Sequence, residues 1–297
     1  MDVQFTEKKL IEVFCEVDDL LQSYKKFRIQ IGDPIKELRT SLNCSEVVTI
    51  LIMYHFSGYK CFEYYYKEKV LKDCISYFPD AVSYEGFLGY MKLCQEAIVL
   101  CLWYKIAQSK RTGYYIIDSK KLEVCHLKRE RSNKVFAGKA RKGKGSMGWF
   151  YGFKIHLVIN NLGEIVDYEF TTGNVADNNQ NLLKNLLKGL QGILIGDKGY
   201  KTKLFQFFYE KGLHVLTKPK KNMKPLPVQN HYNILLNKRA VIESVFDILS
   251  SICDIEHSRH RNSNNAFVHM HAALVAYQFL DKKPRIFVPK DNLLNAA

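Results

Sequence analysis

Ile193-Leu194-Ile195-Gly196-Asp197-Lys198-Gly199-Tyr200 is a short apolar run that ends on a carboxylate and then turns. Three branched aliphatics before a glycine are too few for a helix and suit a buried strand. The same pattern stands 79 residues earlier, where Tyr114-Tyr115-Ile116-Ile117 runs into Asp118. A third acid, Glu243, lies in a helical pattern that opens at about Lys238. If the two runs are neighbouring strands, both aspartates emerge from one sheet edge, where open sheets place their sites. Two carboxylates at strand ends and a third on a following helix can converge on a pair of divalent ions. Taken singly, an Asp after a strand is usually a turn or cap residue. Three acids beside apolar cores favour a site.

The flanking chain fills in a mixed sheet. Trp149–Ile159 alternates as a strand, Asn160-Asn161-Leu162-Gly163 forms a hairpin turn, and Ile165–Thr171 is the partner. Helices are expected over 178–190 and 202–211, with a strand at His214–Thr217. Three prolines make 218–230 a loop, and helices follow at about 237–252 and 266–280. The order β-β-β-α-β-α-β, then helix, predicts an α/β fold with helices on the faces of a mixed sheet. Residues 119–148 read as a polar, Lys- and Gly-rich excursion with a short strand at Lys121–His126.

The first 105 residues read as helices. Thr6–Phe27 is amphipathic, and Asn43 with Glu46 has capping-box spacing before the apolar run from Val47. Gly58 breaks the pattern, Tyr59–Lys72 resumes it, and a helix from Ser83 runs to about Gln108. Helix, glycine turn, helix over Glu46–Tyr66 fits a helix-turn-helix DNA reader as well as an ordinary bundle. The expected division is therefore a helical domain at 1–105 and an α/β domain at 106–290.

The formal net charge is +14, and two segments hold all of it. Residues 119–148 carry net +8 and residues 217–240 carry net +6. So concentrated a field suits a polyanion, of which nucleic acid is the commonest. Neither segment alternates with an apolar helical face as interfacial membrane helices do. The eight cysteines include no C-x-x-C pair and read as core residues in a reducing compartment. The N-terminus lacks an apolar signal core, and no apolar run approaches the ~18 residues of a membrane span. A cytoplasmic location is expected.

The ordered set IIDSKKLEVCH, FYGFKIHLVIN, GNVADN, ILIGDKGYK, NKRAVIESVFDIL and EHSRHRNSNNAFVHMHAALVAY resembles the DDE transposases of bacterial insertion sequences. With SEVVTILIMYHFSGYKCFEYYY near the start, the likeness covers nearly the whole chain and points to the group known as insertion sequence nine-eight-two. It implies a ribonuclease-H-like mixed sheet with flanking helices, preceded by an all-α DNA-binding domain. It implies a catalytic, metal-binding triad of Asp118, Asp197 and Glu243, separated by 79 and 46 residues. Magnesium, a hard cation suited to sparse carboxylates, is the implied cofactor, as two ions about 3.5–4 Å apart with manganese as a substitute. Arg239, one turn before Glu243, matches the family's basic residue and shares its helix face. Lys198 in the GDKGY turn is a further DNA contact, and Lys139, Arg141, Lys142, Lys144, Arg259 and Arg261 are expected on phosphates. Where many relatives carry a tyrosine and a lysine, this chain has Leu236 and Ser250. His257, Arg259, His260 and Arg261 are candidates for the missing contact.

The activity so implied is cleavage at an insertion sequence's terminal inverted repeats, then transfer of the freed strands into target DNA. Double-stranded DNA, as ends and as target, is the partner. Pairing of ends implies a homodimer, nucleoid-associated in a bacterium. The alternatives are a metal-dependent nuclease without strand transfer, or an inactive copy that acts as a DNA-binding repressor.

Overall fold

The computed structural model describes residues 5–35, 40–145, 148–200, 203–217, 236–256 and 260–287. The chain forms two compact units, Met1–Lys105 with Ile248–Asp281, and Ile106–Asp247 with Lys282–Ala297. The segment Ile248–Asp281, expected in the α/β domain, thus packs with the N-terminal helices instead.

In the first unit, α1 (Glu7–Gln30) begins where the Thr6 hydroxyl accepts from the Lys9 N–H. The capping box forms as read: Asn43 and Glu46 each accept from the other's backbone N–H at the start of α2 (Cys44–Tyr54). Gly58 takes φ +74°, and the chain resumes in α3 (Phe62–Tyr64), which widens into a π-helical stretch at Tyr65–Asp73. The expected long helix from Ser83 breaks at Cys94 into α4 (Tyr84–Leu93) and α5 (Gln95–Gln108). Every residue from Val47 to Tyr54 is buried, so α2 is a core helix with no face to lay in a DNA groove. The helix of 263–278 packs on α2 and α4 and is buried nearly all round.

The second unit is built on a six-stranded sheet. Strand β1 (Tyr114–Cys125) pairs antiparallel with β3 (Gly148–Asn160), so Ile117 faces Val158 and Asp118 faces Leu157. On its other side β1 runs parallel to β5 (Gly192–Gly196), and β5 parallel to β6 (Leu213–Thr217). The outer edge of β3 is shared by β4 (Ile165–Thr172) and β2 (Arg141–Gly145), both antiparallel. Two antiparallel neighbours followed by two parallel ones make the ribonuclease-H-like sheet. Gly163 turns the β3–β4 hairpin with φ +77°, a conformation L side chains rarely adopt.

Two further sequence expectations need correction. β1 does not stop at Asp118 but continues to Cys125, absorbing the short strand expected at Lys121–His126. The basic excursion also contributes β2, where the sequence predicts no strand.

Helix α6 (Gln180–Leu186) leads into β5, and α7 (Phe205–Glu210) into β6. Leu182, Leu183, Leu186, Leu187 and Leu190 form one core with Tyr115, Ile117, Val158 and Leu194. Side chains alternate across a strand, so Asp118 and its partner Leu157 lie on the opposite face from that core. Towards that face come α8 (Val241–Ser251), through its lead-in turn Lys238–Ala240, and Arg239. The last helix, α9 (Ser263–Gln278), belongs to the first unit. The expected loop 218–230 lies outside the described residues.

Candidate active site

Register places the two aspartates together. The last parallel pair of β1 and β5 is Ile117 with Gly196, and the residues that follow them are Asp118 and Asp197. Asp197 ends its strand as expected, whereas Asp118 stays within β1, still paired to β3. A Cβ on Gly196 would meet Ile117 Cγ2 at 3.1 Å and Tyr200 Cβ at 3.2 Å. Glycine there lets the following turn fold down, so that the Tyr200 N–H donates to the Asp197 carbonyl at 2.9 Å and the Tyr200 ring is buried.

Asp118 is largely enclosed, its side chain 20% exposed. Its Oδ1 accepts from the Ser119 N–H at 2.8 Å, and its Oδ2 accepts from Arg239 Nη1 at 3.0 Å. Burial raises its pKa to about 6, and the negative charges of Asp197 and Asp177 push the same way. The Ser119 N–H and the Arg239 charge oppose that rise. Arg239 Nη2 also donates to Glu243 Oε1 at 3.2 Å, so one guanidinium bridges both carboxylates. Ile242 and Val245 are buried while Glu243 is exposed, which sets that carboxylate on the open side of α8.

A second set of side chains braces β1 from its other face. Asp177 Oδ1 accepts from Ser119 Oγ at 3.0 Å and from Lys154 Nζ at 3.0 Å. Lys154 also donates to the Val175 carbonyl at 3.0 Å. Burial raises the Tyr200 pKa well above its usual range, with Asp177 and Asp118 adding to the effect. Residue reading missed Asp177 and Lys154 as members of the site. The signal that could have found Asp177 was the GNVADN stretch that contains it.

The expected DNA contacts fall in different places. Lys198 is exposed on the one-turn 3-10 helix after Asp197. Lys139, Arg141, Lys142 and Lys144 are exposed on β2 or just before it, and Lys142 pairs with Glu130 at 3.1 Å. Arg261 is exposed but belongs to the first unit, and Arg259 lies outside the described residues. Of the positions that depart from the family pattern, Leu236 is buried and Ser250 donates to Glu256 at 3.0 Å.

Hard carboxylate oxygens at Asp118, Asp197 and Glu243 are the donor set a small divalent cation prefers. Among the described residues no three His, Cys, Asp or Glu side chains are gathered as a metal-holding group. Arg239 supplies the positive charge between Asp118 and Glu243. No described helix is long and apolar enough to cross a membrane.

No curated protein matches the chain. A family model described as Transposase DDE domain matches residues 108–263, more than half of the sequence and the span that holds all three carboxylates. Proteins of this family act on nucleic acid and generally use divalent metal ions. The chain belongs to the DDE-domain transposase family.

Proposed function

We propose that this chain is a transposase that binds the terminal inverted repeats of an insertion sequence, cuts the DNA there and joins the freed ends to target DNA. The observation that carries the reading is the strand register setting Asp118 beside Asp197, with Arg239 linking Asp118 to Glu243.

Asp118, Asp197 and Glu243 would hold magnesium, with manganese as a substitute. When bound, the ions activate the attacking oxygen and stabilise the leaving one. The remaining work falls to the chain. The β1–β5 pairing fixes two carboxylates on rigid strands, and Asp177 holds the Ser119 side chain next to Asp118. Arg239, released from its carboxylates, is placed to meet a phosphate, for which its planar fork is suited.

Both steps displace one oxygen at phosphorus. In the first, the oxygen of water bonds to phosphorus as the bond to the 3′ oxygen breaks, leaving a 3′-hydroxyl. In the second, that hydroxyl attacks a target phosphodiester and a target 3′-hydroxyl leaves. One set of residues serves both, because only the nucleophile changes. Joining two ends at one target requires them to be paired, so the active species in this reading is at least a homodimer.

Incubation with end-bearing duplex DNA and magnesium tests the reading, with cleavage and joined products expected. Cleavage without joining would make the protein a nuclease, and binding without cleavage would make it a repressor. The absence of both binding and cleavage would overturn the reading.

A further inference from the structure

The β2–β3 hairpin carries an aromatic side chain that the fold does not use. Trp149 is 58% exposed, although it sits within a strand whose next residues, Phe150 and Tyr151, are buried. Its cross-strand partner is Lys144, whose Nζ lies 5.9 Å from the indole centroid. Two residues along the same short strand, Lys142 shares that face, whereas Arg141 lies on the other. A flat π-face is therefore held open to solvent, flanked by cations, on a strand with no acid of its own.

Its position relative to the carboxylates follows from register. Asp118 pairs with Leu157, and paired residues share a face. Leu157 and Trp149 are an even number of residues apart on β3, so Trp149 projects from the same face as Asp118. Their spacing along the strand is about 26 Å at ~3.3 Å per residue. A DNA strand crossing that face would span roughly eight base pairs over this distance, at about 3.4 Å each.

We propose that Trp149 is a base-stacking residue: it receives the face of an unpaired nucleobase, while Lys144 beside it holds an adjoining phosphate. In an intact duplex both faces of each base are covered by its neighbours, so phosphate contacts alone would need only the cations. An exposed indole adds affinity only where a base face is free, and such stacking tolerates any sequence. The site thus binds DNA that is displaced or single-stranded roughly eight base pairs from the point of reaction. This deepens the transposase reading and rests on it.

The sequence has two tryptophans, Trp103 and Trp149, so Trp103→Phe leaves Trp149 as the sole indole emitter. That variant is titrated with end-labelled blunt duplex, with the same duplex carrying a single-stranded tail, and with an oligothymidylate. Label anisotropy reports binding, and indole emission reports stacking. Emission is expected to be quenched by the tailed and single-stranded DNA and little changed by the blunt duplex. Trp149→Leu is expected to weaken binding to the tailed DNA about tenfold, in the range for loss of one stacked base, with little effect on blunt duplex. Trp149→Phe should restore most of that loss. Tailed DNA that binds without changing the emission would overturn the stacking role and leave the transposase reading standing. The same follows if Leu and Phe variants behave alike. No anisotropy change with any DNA would remove the transposase reading, and this proposal with it.

Discussion

Arg239 donates to Asp118 at 3.0 Å, reaching from the turn before α8 to the middle of a central strand. With its second nitrogen on Glu243, the guanidinium neutralises carboxylates that would otherwise repel. Arg239→Gln is therefore expected to destabilise the metal-free protein by about 1.5–3 kcal/mol, the range for a hydrogen bond to a charged group. Magnesium should narrow the gap, because the ion replaces the missing charge. Thermal melts in chelator and in magnesium check this, and an equal gap in both would rule it out.

Replacing Asp118, Asp197 or Glu243 by Ala should lower cleavage by more than about 100-fold, the upper end of the loss when an outer-shell partner of a metal site is removed. Asp197 and Glu243 are exposed, so their Ala variants should keep the fold and the DNA affinity. Circular dichroism and DNA anisotropy provide the controls. Full magnesium-dependent cleavage by Glu243→Ala would mean the wrong glutamate. Glu256 would be next, although it lies in the first unit, bonded to Ser250.

Which parts of this architecture were legible depends on what fixes them. The strands at 114–117 and 193–196 announce themselves because the β1–β5 pairing buries them. Beyond Asp118, β1 loses β5 and keeps β3 as its strand partner, and most of its residues other than the buried Leu122 turn half-exposed. Arg141-Lys142-Gly143-Lys144-Gly145 has the composition of a loop and becomes a strand only because β3 offers it an edge. The two aspartates were legible at the ends of apolar runs and Glu243 within a helical pattern, whereas Asp177 sits in a turn whose role depends on Lys154 and Ser119 across the sheet. The return of 248–281 to the first unit leaves no linker in the sequence, so nothing local marks it.

Acid should weaken the first unit through its buried histidines. His55, His260 and His269 pack ring against ring, beside Tyr54, with His55 on the Cys253 carbonyl and His269 on the Asp254 carbonyl. Burial lowers the His260 pKa to about 3 and that of His55 well below its usual value, each helped by His269. In the unfolded chain these rings titrate near 6.5. Below that pH the unfolded state binds protons that the folded state refuses, so stability is full above about 6.5 and falls as the pH drops towards the folded values. His55 and His260 each contribute up to about 1.4 kcal/mol per pH unit in that window. His260→Gln should flatten the dependence relative to the parent, which cancels the other titrating groups. Parallel curves in urea unfolding between pH 7 and 5 would refute it.

The basic hairpin should set salt dependence. Substituting Lys139, Arg141, Lys142 and Lys144 together should reduce the slope of log affinity against log salt by up to about 0.9 for each phosphate no longer neutralised. Lys142 already pairs with Glu130, so it should account for the smallest share. These residues touch phosphates in this reading, so the weakening should be alike for all sequences. An unchanged slope would make them a solvated surface.

The first unit should carry recognition of the element ends, because residues beside the carboxylates must accept arbitrary target DNA. Its core is not complete at residue 105. Helix α9 buries Ala266, Val268, Met270, Leu274, Val275 and Tyr277 and packs on α2 and α4 within that unit. Losing several such side chains at about 1.5–3 kcal/mol each exceeds the whole stability of a typical domain. A fragment of residues 1–105 is therefore expected to be partly unfolded and to show no preference for repeat DNA. Joining residues 248–281 to it by a long flexible linker should restore cooperative melting, and with it discrimination between repeat and scrambled DNA at physiological salt. A folded 1–105 fragment would show that α9 is dispensable. A folded two-segment protein without preference would move recognition to the second unit or to the assembled dimer.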